Sequence, residues 1–123
     1  MENVIFNDIT KNLVTVLPEN WEKVCLYCQI TNDSYEFFFH VKVDGIYIQS
    51  FDLEKSYKIS RKELRDCFKR LNDVVKPEYE SKKFYVMTFI LEKNGKFSTE
   101  YEYTDYSENS LEYKKAWKEK YLK

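Results

Sequence analysis

Two dipeptides, Asp44-Gly45 and Asn94-Gly95, each stand between short runs of strand-forming residues. Glycine tolerates the positive φ of a tight turn, so each dipeptide marks a β-hairpin. Both glycines of the chain lie at these turns, and hairpins impose antiparallel pairing on their strands. The first joins Tyr35–Val43 to Ile46–Ser50, and the second joins Phe84–Glu92 to Lys96–Tyr103. A further run, Val24–Ile30, is rich in strand formers and closes at the polar turn Thr31-Asn32-Asp33-Ser34. Three consecutive phenylalanines at Phe37, Phe38 and Phe39 require cover on both faces of their strand, because successive side chains alternate sides.

The remaining segments carry helical spacing. Ile5, Ile9, Leu13 and Leu17 recur every four residues up to Pro18, which disfavours helical geometry at the residue before it. Phe51–Ile59 reads as a connecting loop. Ser60 followed by Glu63 forms a capping box ahead of Leu64, Phe68, Leu71 and Val75, with Pro77 as the expected helix end. Ser110 is placed to cap a last helix with Tyr113, Trp117 and Tyr121 on one side. Strands do not alternate with crossover helices, so a parallel α/β sheet is not expected. The pattern predicts one α+β domain over residues 1–123, an antiparallel sheet of about five strands with helices packed mainly on one face. Strand order between the two hairpins stays open at this level.

Composition narrows the class. Aromatic residues make up 18% of the chain and charged residues 33%, yet the net charge is −1. That balance speaks against disorder and against direct nucleic-acid binding through bulk charge. No apolar run reaches the roughly 20 residues of a membrane span, and the start, Met1-Glu2-Asn3-Val4-Ile5-Phe6, lacks the basic region and cleavage site of an export signal. An odd count of three cysteines then fits a reducing cytoplasm.

Catalytic patterns are weak. Cys25-Leu26-Tyr27-Cys28 has the spacing of a redox or zinc motif, but strand residues three apart point to opposite faces. Cys67 falls on a helix, and His40 is the single histidine, so no tetrahedral metal set is expected. Buried structural thiols are the expectation. Two glycines cannot build a phosphate loop. No cofactor is expected. Lys114, Lys115, Lys118, Lys120 and Lys123 read as a solvated helix face rather than a nucleic-acid patch, since the adjacent acidic segment would repel phosphate.

From Phe97 through Leu111 the chain carries no Lys or Arg. Phe97, Thr99, Tyr101 and Tyr103 would share one strand face, with Ser98, Glu100 and Glu102 on the other, showing acid to the outside. The ordinary reading is a solvated sheet face. The functional reading is an acidic, tyrosine-rich docking surface for a basic protein. Its candidate partner-binding residues are Glu100, Tyr101, Glu102, Tyr103, Asp105 and Tyr106.

Leu17-Pro18-Glu19-Asn20-Trp21-Glu22-Lys23-Val24 with Leu26-Tyr27 resembles the leading signature of the YezG-like immunity proteins of Gram-positive bacteria. Tyr47-Ile48-Gln49-Ser50, Asn94-Gly95-Lys96-Phe97, Tyr101-Glu102-Tyr103 and Trp117-Lys118-Glu119-Lys120-Tyr121-Leu122 follow in the family's order. Asn20 stands where the family usually has Gly, and Asn also accepts positive φ. The resemblance implies a non-enzymatic cytoplasmic antitoxin. Such proteins neutralise nuclease toxins, typically ones exported by a type VII secretion system. It carries no catalytic residues over. Two other classes stay open: a small hydrolase using Cys25 or Cys28 with His40, and a ligand-binding or structural module. A homodimer through a sheet edge or the last helix is open as well.

Overall fold

A computed structural model of the chain describes residues 2–123. Five strands form one antiparallel sheet: β1 (Lys23–Ile30), β2 (Tyr35–Val43), β3 (Ile46–Gln49), β4 (Val86–Glu92) and β5 (Phe97–Glu102), in the order β3-β2-β1-β4-β5. Four helices accompany them: α1 (Glu2–Val14), α2 (Leu53–Tyr57), α3 (Arg61–Lys82) and α4 (Ser110–Tyr121). The predicted α+β class and antiparallel five-stranded sheet are what the structure has. The main core lies under α1 and α3, while α4 crosses the opposite face alone.

The two hairpins reach their turns by different chemistry. Asp44 and Gly45 both take positive φ, 51° and 79°, as a primed two-residue turn requires. At the second turn only Gly95 is positive, at 94°, and its N–H donates to the Glu92 carbonyl at 2.9 Å. That is the three-residue loop built on a type I turn and closed by a left-handed glycine. Glu22 ties both turns to one end of the sheet. Its N–H donates to the Lys42 carbonyl (2.8 Å), its carbonyl accepts from the Lys93 N–H (3.0 Å), and its carboxylate accepts from the Gly45 N–H (3.0 Å).

β1 lies at the centre because both of its faces are apolar. Val24, Leu26, Cys28 and Ile30 enter the α1/α3 core; Cys25 and Tyr27 enter the cluster under α4. The phenylalanine run of β2 divides likewise, with Phe37 and Phe39 on the first side and Phe38 on the second. Burying each such side chain contributes about 1.5–3 kcal/mol. A sheet covered on the α1/α3 face only would leave Cys25, Tyr27 and Phe38 in water.

Four local expectations change. α1 stops at Val14, and Val16 and Leu17 close a turn onto the Leu13 and Val14 carbonyls, since Pro18 bars Leu17 from helix. Phe51–Ile59 is not a loop throughout; it holds a 3₁₀ turn at Ser50–Asp52 and then α2. α3 runs through Pro77 to Lys82. Pro77 removes the N–H that would bond the Asp73 carbonyl, but both residues are exposed, so water can satisfy that group. The turns beyond are held by Glu78, Tyr79 and Lys82, which pack or pair against the sheet. Finally, Ser110 is the first residue of α4 and Asn109 the cap, without a side-chain bond to the helix. The Ser60 cap does form: its hydroxyl accepts from the Glu63 N–H at 3.1 Å.

Candidate functional site

β5 alternates as its sequence requires. Phe97 and Tyr101 turn toward the α1/α3 side: Phe97 packs on Phe6 and Phe89, with centroids 5.3 and 5.6 Å away, and Tyr101 packs on Phe84 at 5.6 Å. The Tyr101 hydroxyl donates to buried Glu78 at 2.5 Å, and Lys82 pairs with the same carboxylate at 3.2 Å. Tyr101→Phe leaves that carboxylate short of a donor, with an expected loss of about 1–2 kcal/mol in urea unfolding. No loss would show that Tyr101 contributes packing alone.

Glu100 and Glu102 lie on the other face, and that face is not open. α4 lies over it. Tyr121 donates its hydroxyl to Glu100 at 2.8 Å, and the Lys120 ammonium sits 3.4 Å from the same carboxylate. A cavity of about 130 Å³ separates β5 from α4, with Glu100, Glu102, Tyr113 and Tyr121 among its walls. Burial raises the Tyr113 and Tyr121 phenols, and the carboxylates beside them raise them further. Both hydroxyls therefore stay neutral donors.

The loop beyond β5 is fixed by its own acids. One Glu102 carboxylate oxygen accepts from the N–H groups of Tyr103 and Thr104, each at 3.1 Å. Asp105 accepts from the Ser107 N–H at 2.8 Å, a bond that holds its carboxyl below the usual range. Tyr106 stacks on Tyr113 with centroids 4.6 Å apart, and both rings meet Tyr85 edge-on. Beneath this loop a cavity of about 380 Å³ is lined by Tyr79, Lys83, Tyr85, Tyr103 and Asp105.

The six candidate residues lie along one edge of the sheet, on β5 and the loop after it, but they are not equivalent. Tyr103 and Asp105 are exposed, with Tyr103 at 59%. Glu100 is exposed yet held by α4. Tyr101, Glu102 and Tyr106 are half-buried, Tyr101 against the α1/α3 core and Glu102 beside α4. Tyr79, Tyr85 and Lys83 join this edge from the α3–β4 junction, which periodicity along β5 could not reveal.

The rival Cys–His reading fares differently. Cys25 and His40 are direct cross-strand partners on the α4 face. The pair is buried: Cys25 is fully so and His40 nearly so. Burial pushes the thiol up to about 11. Burial, with Lys118 adding repulsion, pushes the imidazole down to about 4. A nucleophilic pair needs the reverse order, a thiolate stabilised beside imidazolium. Cys28 faces the opposite core, as expected from its three-residue offset. Among the described residues no group of three His, Cys, Asp or Glu side chains is placed to hold a metal ion. Nor is any helix there long and apolar enough to cross a membrane.

A family model described as "Immunity protein YezG-like" matches residues 2–123. The chain belongs to the YezG-like immunity protein family. The immunity protein YezG of Bacillus spizizenii is 26% identical over 113 residues, 82% of this chain and 68% of that protein. Its namesake in Bacillus subtilis strain 168 is 26% identical over 120 residues, 88% of this chain and 77% of that one. YezG-like membership assigns an antitoxin role and implies a cognate toxin as partner. The stretch Leu17–Val24 serves the YezG-like fold through Glu22, as described above. Lys93 adds a clamp there, with its ammonium 2.9 Å from the Glu19 carbonyl and 5.0 Å above the Trp21 ring.

Proposed function

We propose that this YezG-like chain neutralises a nuclease toxin by docking its acidic, tyrosine-rich rim onto basic side chains of the toxin. It does so in the cytoplasm, without chemistry of its own. The observation that carries this reading is the pairing of Tyr103 and Asp105. Both are exposed beside an aromatic-walled cavity, in a segment from Phe97 to Leu111 free of Lys and Arg. A nuclease holds phosphate with Arg and Lys. Those groups can pair with Asp105 and Glu102 and stack on Tyr103. Occupying them denies the toxin its substrate contacts, and opposite charge speeds the encounter.

The test uses co-expression with a nuclease domain encoded beside this gene, scoring survival and co-purification, followed by titration calorimetry. Tyr103→Ala combined with Asp105→Asn is expected to raise the Kd by about 10–100-fold, while the melting temperature stays within a few degrees. Asn keeps an acceptor for Ser107, so the loop persists. Glu100→Lys with Glu102→Lys is expected to weaken binding too, but it also disturbs the contact to α4. An unchanged Kd for the Tyr103/Asp105 variant would remove the rim from the interface. Light scattering on the same samples reports whether the free chain is a homodimer.

A further inference from the structure

α4 divides the sheet face it covers. One flank meets the acids of β5. The other, toward β2 and β3, is a groove of about 340 Å³ whose walls are Lys114, Lys115 and Lys118, with His40, Phe38 and Gln49 beneath. Glu36 is the one carboxylate lining it, and Lys114 already pairs with that group at 2.6 Å. Among the described residues Lys115 and Lys118 form no ion pair. His40 is only 7% exposed, and its Nε2 is enclosed with no hydrogen-bond partner there. A buried polar atom without a partner is costly and marks a place where a ligand or water completes the structure.

We propose that the groove between α4 and the β2–β3 hairpin binds a compact oxyanion, a carboxylate or a phosphate group, held by Lys115, Lys118 and the His40 imidazole. Two unpaired ammonium groups supply the attraction. The ring stands beside Phe38 and Trp117, with centroids 5.8 and 6.0 Å away. Those neighbours hold it in place without occupying its nitrogen. The titratable groups facing His40 are Lys118 from α4, Asp52 from the turn after β3 and, across the strand pair, the Cys25 thiol, which burial keeps neutral; the cation outweighs the acid. A bound anion reverses that balance, so occupancy raises the His40 pKa, and binding strengthens as pH falls.

His40 is the only histidine of the chain, so its ring signals in an NMR spectrum are unambiguous. The full chain is titrated separately with sodium phosphate and sodium acetate, with sodium chloride at matched ionic strength as the control. Saturable movement of the His40 ring signals in phosphate or acetate, with a raised His40 pKa at saturation, is the expected result. The anion that saturates assigns the source as phosphate or carboxylate. Lys115→Gln and Lys118→Gln, both exposed positions, are expected to weaken it by about tenfold each while the amide spectrum stays native. Equal shifts in chloride, or saturation untouched by either lysine change, would overturn the site. No toxin is needed, so the outcome is independent of the docking rim.

Discussion

Trp117→Ala is expected to lower the unfolding free energy by about 3–5 kcal/mol and to release α4 from the sheet. Trp117 is the one buried residue of α4. Its ring lies edge-on to Tyr27 and Phe38, with centroids 5.5 and 5.7 Å away. Its indole N–H donates to the Thr88 hydroxyl at 2.8 Å, a buried bond. The rest of the α4 attachment is the partly buried Tyr113 and Tyr121 on the same cluster, with polar contacts from Lys114 to Glu36, from Tyr121 and Lys120 to Glu100, and from the Cys25 thiol to the Tyr121 carbonyl at 3.8 Å. Exposed ion pairs contribute little each, and a helix of 12 residues is marginal without packing. Urea unfolding measures the loss, and near-UV circular dichroism reports the freed rings. Trp117→Phe keeps much of the volume but removes the indole donor to the Thr88 hydroxyl, so a smaller loss of about 1–2 kcal/mol is expected. A loss below 1 kcal/mol for Trp117→Ala would mean that the helix is anchored elsewhere.

Acid should loosen the same helix through His40. Its ordinary pKa of 6.5 is lowered to about 4 by burial and by Lys118. The fold therefore favours the neutral ring. As pH falls below 6.5 the unfolded chain takes up this proton first, and stability is lost progressively until the folded ring also protonates near 4. The contribution present at pH 7 and absent at the acid end is on the order of 3 kcal/mol. Carboxylates titrate near the bottom of this window, so the group is isolated by difference. Unfolding of the native chain and of His40→Asn is compared at several pH values from 7 down to 4. The native chain is expected to fall more steeply, and parallel curves would show that the ring titrates normally. His40 packs against Trp117, so the loss is expected to be felt first at the α4 contact.

Both results bear on the YezG-like role. α4 carries the tyrosines that close over β5, so a chain with α4 undocked loses the support of its acidic rim. On the docking proposed through that rim, toxin protection fails in Trp117→Ala even if the α1/α3 core survives.

Much of the fold is legible in local chemistry. Asp44-Gly45 and Asn94-Gly95 mark both hairpins, and the four-residue spacing of α1 and α3 identifies the buried stripes. The opposite directions of Cys25 and Cys28 follow from strand alternation. Pro77 misleads because its cost depends on whether the freed Asp73 carbonyl meets water, a tertiary fact. Tyr101 and Glu102 are readable as an alternating pair. That Tyr101 reaches Glu78, and that Glu100 meets Tyr121, depends on elements 21–23 residues away in sequence.

The amino-acid sequence by itself determines where this chain turns, where the three longer helices α1, α3 and α4 lie, and the antiparallel sense of each hairpin. These choices rest on φ preferences and on periodicities within a few residues. Only the tertiary structure decides that β1 joins the two hairpins through β4, and that α4 closes over the acidic side of β5. Those choices come from the burial of β1 on both faces, and burial is shared among residues that no local pattern connects.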